Sequence, residues 1–510
     1  MNRYLLFPLM GMAAAGAAAQ QGQLPNVIFL VADDLGYGDL SCYGAQRVQT
    51  PATDSVAQAG LRFVDAHAVA STSTPSRYSL LTGEYAFRRR DTGVAAGNAA
   101  LIIHPDQYTL ADAFRQKGYA TAAIGKWHLG LGAKTGQQDW NKLITPNLAD
   151  LGFDYSYIMA ATADRVPCVY IENGRVANYD PSAPIEVSYR QNFPGEPTGK
   201  DNPELLTKLK PSHGHDQSIV NGISRIGFMK GGGKALWEDE HIADSIVSHA
   251  IAFMEREAKE GPFFMYLCTN DVHVPRYPSE RFRGKSPMGL RGDAILQFDW
   301  TVGRITETLR RLGIADNTLL VITSDNGPVL DDGYADEAIP LAGDHKPGGP
   351  FRGGKYSAFE AGTTVPFIVS WPGHIEGGRV DTALISHVDA LASMARLVGV
   401  NLPDSAAPDS RDCLDTWLGR CEGGQRGYVI TTGNNYNIEV RTKEWKYIEP
   451  RQGGPMVSWG PKIETGNSTQ PQLYSRTGKN DERENVAAEH PEVVAEMEAV
   501  AKRVAAGSAE

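Results

Sequence analysis

Only five of the 510 residues are cysteine, and none stands in a Cys-x-x-Cys or Cys/His spacing that would hold zinc. Cys413 and Cys421 alone are close enough in sequence to pair, and a bridge between them is the single disulfide the sequence suggests. Beyond residue 19 no apolar run reaches the roughly 18 residues of a membrane helix, so no bilayer span is expected. Positive charge is in deficit: 49 Lys and Arg against 60 Asp and Glu give a formal charge of −11. That balance excludes a nucleic-acid-coating surface and confines any anion-handling chemistry to a pocket. No internal repeat is present.

What is present begins with Arg3, an apolar stretch from Tyr4 to Met12, and Ala-rich sequence ending Ala17-Ala18-Ala19. This is the pattern of a secretory signal peptide over residues 1–19, so an exported chain is expected. The remaining length and 42% hydrophobic content suit one large core plus a smaller one. Short apolar runs at Val27–Ala32, Ala120–Ile124, Phe263–Leu267, Leu319–Thr323 and Pro366–Ser370 read as buried strands of a mostly parallel sheet. Helical patterns lie between them, clearest from Asp239 to about Glu257, where Ile242, Ile246, Val247, Ala250, Phe253 and Met254 share a face. Strands alternating with helices predict an α/β layered domain over residues 20–402. Residues 186–235, rich in Gly, Pro, Lys and Asn, read as a long surface insertion. After the Asn401–Pro408 junction, residues 409–510 read as a smaller α+β unit. It has antiparallel strands at Gly427–Thr432 and Trp445–Ile448 and a final helix at Pro491–Val504.

The residues that follow each strand carry the chemistry. Asp33-Asp34 follow the first, Lys126-Trp127-His128 the second, Asp271 and His273 the third, Asp325-Asn326 the fourth. Ligands of open α/β sheets bind outside the carboxyl ends of strands, so these clusters are expected to converge. Asp33, Asp34, Asp325 and Asn326 offer only oxygen, which favours Ca²⁺ or Mg²⁺ over zinc. Arg77, Lys126 and Lys355 would then surround a tetrahedral oxyanion, and His128 and His273 can move protons near neutral pH. At Ser73-Thr74-Pro75-Ser76-Arg77 a serine opens a helix whose first turn tolerates proline. The free N–H groups and partial positive charge there favour an anion beside Ser73.

Together these segments resemble the type I sulfatases. The Ser73 segment is similar to their (Cys/Ser)-x-Pro-x-Arg signature followed by Thr82-Gly83. Asn26–Gly38, Gly125–Gly130, the His273 segment, Thr323–Gly327, Arg352–Lys355 and Leu473-Tyr474 follow in the family's order, over about residues 24 to 490. The resemblance implies an alkaline-phosphatase-like fold: a large mixed sheet flanked by helices, with a C-terminal α+β domain of short antiparallel sheet and terminal helix. It implies that Ser73 becomes formylglycine, made by a radical iron–sulfur maturase before export to a Gram-negative periplasm. It also implies one Ca²⁺ held by Asp33, Asp34, Ser73, Asp325 and Asn326. In that scheme a hydrated aldehyde oxygen attacks sulfur while His273, aided by Lys355, protonates the leaving oxygen. His128 takes the proton that releases sulfate, and Arg77 and Lys126 hold the formylglycine and sulfate oxygens. The expected substrates are O-sulfated carbohydrates of mucin or glycosaminoglycan type, with Arg165, His104, the insertion and Asn434-Asn435-Tyr436 as candidate sugar contacts. The alternatives are a phospho- or phosphonate-ester hydrolase of the same superfamily, and a catalytically silent sulfated-glycan binding protein.

Overall fold

A computed structural model describes residues 24–477 and 482–507; the signal peptide expected over residues 1–19 lies outside them. The sheet is centred on Asn26–Ala32, which runs parallel to Thr318–Ser324 on one side and Phe263–Cys268 on the other. Ala120–Lys126 and Tyr155–Met159 extend the parallel set beyond Phe263–Cys268. In all, ten strands share this sheet. Asn26–Ala32, Phe263–Cys268 and Thr318–Ser324 are buried along their whole length, because helices cover both faces. For that reason they read as continuous apolar runs and not as alternation.

Phe367–Ser370 departs from the expected parallel set: it is antiparallel to Thr318–Ser324 and to Leu61–Phe63. A parallel return would need a crossover to the far end of the sheet. The intervening chain instead stays at the carboxyl end, where Thr323 pairs with Phe367, and its one α-helix is the five-residue Ala338–Ala342. The sheet is therefore mixed, as the resemblance implied.

The amphipathic helix forms over Ile242–Glu257 and buries the apolar face read from the sequence. Its expected first turn, Asp239–His241, is a 3-10 turn, because Asp239 is drawn inward to a 2.7 Å ion pair with buried Arg225. The 186–235 insertion is less irregular than its composition suggests. Glu186–Ser188 pairs with Phe228–Lys230, and Ile219–Val220 with Ile223–Ser224.

The large core continues past the 402–409 junction, taking in Cys413, Leu414, Trp417 and Leu418. Trp417 packs 5.0 Å from the Phe367 ring and 6.2 Å from the Phe29 ring. Trp417→Ala is expected to cost about 3–5 kcal/mol through the cavity it leaves, read as a lowered denaturation midpoint. The suggested Cys413–Cys421 bridge is not formed. Cys413 is held in the core at the start of helix Leu414–Trp417, its N–H bound to Ser393 Oγ, while Cys421 lies in the partly exposed loop beyond.

The C-terminal sheet has four antiparallel strands, not two: Val429–Thr432, Ile438–Arg441, Trp445–Ile448 and Gln472–Ser475. Helix Pro491–Ala505 covers it through Met497, Ala501 and Val504. This unit is tied to the large one in two ways. Thr432 exchanges backbone hydrogen bonds with Val69 and Ser71, just before Ser73. Glu360 is buried against Arg441, Lys446 and Arg476. The Asp65, His67 and Glu360 group has metal-like spacing, but those cations already neutralise its carboxylates.

Candidate active site

The carboxyl ends of three parallel strands bring five side chains together at the base of one buried cluster. Asp33 and Asp34 leave Asn26–Ala32, Lys126 ends Ala120–Lys126, and Asp325 and Asn326 follow Thr318–Ser324. Gly125 makes the approach possible: it has φ +95°, and a Cβ there would lie 1.8 Å from the Cys268 carbonyl oxygen. Opposite these ends, helix Ser73–Thr82 is buried over all ten residues. Thr72 gives its start no side-chain cap, so the positive end of the helix faces the cluster.

Ser73 Oγ is the point of convergence. Lys126 Nζ donates to it at 2.8 Å, Asn326 Oδ1 lies at 3.2 Å and Asp33 Oδ1 at 3.5 Å. Lys126 also contacts Asp33 at 2.6 Å and Asp325 at 3.5 Å. Arg77, one helical turn on, pairs with Asp325 at 2.8 Å and donates to the Lys126 carbonyl at 3.2 Å. Asn326 Nδ2 donates to Asp34 Oδ1 at 2.7 Å, and Lys355 Nζ reaches Asp34 Oδ2 and Asp332 Oδ2, each at 2.8 Å. Asp34, His128 and Tyr356 hold left-handed backbone, at φ 55°, 60° and 73°. Such strain costs about 1–3 kcal/mol per residue and is retained where geometry matters.

Burial pushes the Asp33 carboxyl well above the usual range; Lys126 opposes this, but Asp325 and Asp34 add like charge. Burial works the same way on Asp325, yet Arg77 and Lys126 overcome it and hold that carboxyl low. Burial and Lys126 push His128 well down, and burial and Lys355 do the same to His273. Lys355 goes up although burial disfavours its charge, because Asp332 and Asp34 face it.

The two histidines are in defined tautomers, because a carbonyl can only accept a hydrogen bond. His128 Nε2–H donates to the Ala95 carbonyl at 2.9 Å, leaving Nδ1 buried as an unpartnered acceptor. His273 Nδ1–H donates to the Val274 carbonyl at 2.6 Å, which turns the Nε2 lone pair toward Lys355 Nζ at 3.2 Å.

The donors fit a hard divalent cation. Asp33, Asp34, Asp325 and Asn326 converge as oxygen donors, and Asp33 Oδ2 is buried without a hydrogen-bond partner. The ligand atoms of Asp33, Asp34 and His273 lie within 4.8 Å of one another.

A pocket of about 670 Å³ opens over Ser73, His128, His273 and Lys355. Its outer wall adds Asp164, Asp332 and Tyr356, which the sequence did not single out, to the expected Arg165 and insertion. Asp164 binds His215 Nε2 at 3.0 Å and Arg165 Nη1 at 3.0 Å, and Asp332 accepts from Tyr356. The signal available for this wall was the Ser212-His213-Gly214-His215 run inside an otherwise featureless insertion. Of the candidate sugar contacts, Arg165, insertion residues 213–217 and Asn434 line the pocket. His104 does not: it is an exposed side chain paired with Asp106. Tyr436 is turned toward Thr92.

The fold and this site define a sulfuric ester hydrolase. Residues 25–400 match the sulfatase family, and the chain belongs to it. It is 51% identical to the N-acetylgalactosamine-6-O-sulfatase of Bacteroides thetaiotaomicron, over 94% of this chain and 92% of that protein. It is 30% identical to human N-acetylgalactosamine-6-sulfatase, over 80% of this chain and 68% of that one. A solved Bacteroides thetaiotaomicron sulfatase, described under the metabolism of multiple glycosaminoglycans, superposes with a TM-score of 0.92. That match has 51% identity and covers 95% of this chain and 100% of the other.

Proposed function

We propose that this protein is an exported, periplasmic 6-O-sulfatase of N-acetylgalactosamine residues in glycans, matured by conversion of Ser73 to formylglycine. The observation that carries this reading is the pocket that opens over Ser73, His128, His273 and Lys355, in a chain half identical to a sulfatase of that specificity. Asp33, Asp34, Asp325 and Asn326, together with the residue-73 oxygen, would hold Ca²⁺. Bound there, the ion would supply positive charge that offsets the charge developing on the sulfate and favours the nucleophile in its reactive form.

The chain's own residues account for the rest. Lys126 and Arg77 orient residue 73 and face the charge that develops on the sulfate oxygens. Lys355 holds its proton firmly and donates a hydrogen bond to the neutral Nε2 of His273; the pair shares one proton, which passes to the departing sugar oxygen as negative charge develops there. His128 Nδ1, unprotonated and without a partner, is placed to remove a proton on the sulfate-release side. Asp164 and Arg165 form an acceptor and donor pair on the outer wall that matches neighbouring sugar hydroxyls.

The test is sulfate release by the matured protein from N-acetylgalactosamine 6-sulfate, its 4-sulfate isomer and a matched phosphate ester. Preference for the 6-sulfate supports the reading; equal cleavage of the 4-sulfate, or faster cleavage of the phosphate, overturns it. Arg165→Ala is expected to raise KM for the 6-sulfated monosaccharide about 10- to 100-fold, the range for a lost charged hydrogen bond. Because Arg165 grips the sugar and not the sulfur, kcat should change little. Initial-rate kinetics check this.

A further inference from the structure

Beside the main pocket lies a second, smaller recess of about 140 Å³, and the two share Tyr356, Asn434 and Trp459 along a common rim. Its composition is unlike that of the catalytic cluster. None of the described residues lining it is charged. Trp459 is 44% exposed, unusual for an indole, and stands edge-on to the Tyr356 ring at 5.1 Å. Asn434 and Asn435 enter no side-chain hydrogen bond among the described residues, so both amides are free at the rim. Asn467 donates through Nδ2 to the Gly454 carbonyl at 3.3 Å, which leaves its Oδ1 available to accept.

An aromatic face beside free amides matches a sugar ring, which offers an apolar C–H face and a rim of hydroxyls. The Trp459 loop packs against the insertion. Gly460 sits so close to His213 that a Cβ would come within 1.8 Å of the imidazole, so the loop closes against the insertion that walls the main pocket.

We infer that this recess is a second sugar subsite, which holds an uncharged ring glycosidically joined to the sulfated residue in the main pocket. The inference rests on the main pocket being a sulfated-sugar site. The absence of a cation in the lining is what selects a neutral ring over a hexuronate, whose carboxylate would find no partner there.

The test compares kcat/KM of the matured protein on three substrates: 6-sulfated N-acetylgalactosamine alone, the same residue joined to a neutral hexosamine, and the same residue joined to a hexuronate. Cleavage of the monosaccharide checks the main-pocket reading separately. The neutral disaccharide is expected to exceed the monosaccharide by about tenfold, the scale of one stacked aromatic contact with its hydrogen bonds. In Trp459→Ala, and separately in Asn467→Ala, that ratio is expected to fall toward one. Taking the ratio within each variant cancels any effect on the main pocket. A wild-type ratio near one, a ratio unmoved by both substitutions, or a hexuronate disaccharide cleaved as well as the neutral one overturns the inference.

Discussion

Ser73→Ala is expected to lower sulfate release by at least about four orders of magnitude, the scale seen when a nucleophile is deleted from an otherwise intact hydrolase. The reason is positional. Ser73 Oγ is the one atom that Lys126, Asn326 and Asp33 all approach, at 2.8, 3.2 and 3.5 Å. It stands at the positive start of a fully buried helix, so an anion bound there meets both the helix end and the ammonium. Removing one hydroxyl leaves no large cavity, so the melting temperature should stay within a few degrees of wild type, about 1 kcal/mol. Binding of the sulfated sugar should survive, because Arg165, Asp164 and Lys355 remain. Sulfate-release assays and calorimetric titration of the sugar into the variant separate the two effects. Activity above about 1% of wild type in pure Ser73→Ala would place the nucleophile elsewhere. Mass analysis of the Ser73 peptide from the native host reads the proposed aldehyde directly.

How much of this was legible in the sequence depended on whether signals were local. Apolar runs such as Asn26–Ala32 announce buried strands because both faces of the sheet are covered, and the residue after such a run lands at a carboxyl end by connectivity alone. Asp33, Lys126 and Asp325 were readable in that way. Strand direction was not, because nothing within Phe367–Ser370 encodes which way its neighbour runs. Ile438–Arg441 was not named as a strand: it is four residues long and half of them, Glu439 and Arg441, are charged. Glu439 in fact faces Lys446 across the small sheet, and Arg441 reaches Glu360 and Asp65 in the large unit. The pocket wall was the least legible part. Asp164, His215 and Trp459 come from three distant loops, and only tertiary packing decides that they face Ser73. His104 shows the converse: a histidine with suggestive chemistry and an exposed position away from the pocket.

Stripping divalent cation with a chelator is expected to abolish turnover and lower the melting temperature, with Ca²⁺ restoring both. The charge pattern explains why. Asp33, Asp34, Asp325 and Asp332 are four buried carboxylates facing three buried cations, Arg77, Lys126 and Lys355. With all four ionised the cluster is one positive charge short, and burial together with the like charges of Asp325 and Asp34 pushes Asp33 toward keeping its proton until a cation joins them. A divalent ion would turn that deficit into an excess of one, which a singly charged sulfate ester would neutralise, so substrate binding is expected to depend on the ion. An ion bound only by the folded chain stabilises by about 2.7 kcal/mol at a hundred times its Kd, enough for a clear shift in a melting scan. Asp325→Asn probes the same balance from the other side. Asp325 pairs with Arg77 at 2.8 Å and with Lys126 at 3.5 Å; its neutralisation leaves buried Arg77 without its ion pair, while Lys126 keeps Asp33 at 2.6 Å, and it removes one negative charge from the oxygen cluster. Breaking a buried pair in this way costs about 3–5 kcal/mol. The variant should therefore melt lower than wild type even in chelator, and added Ca²⁺ should recover neither the melting temperature nor activity. If Asp325→Asn instead matches chelated wild type in stability and responds fully to Ca²⁺, the ion is bound somewhere other than the oxygen cluster beneath Ser73.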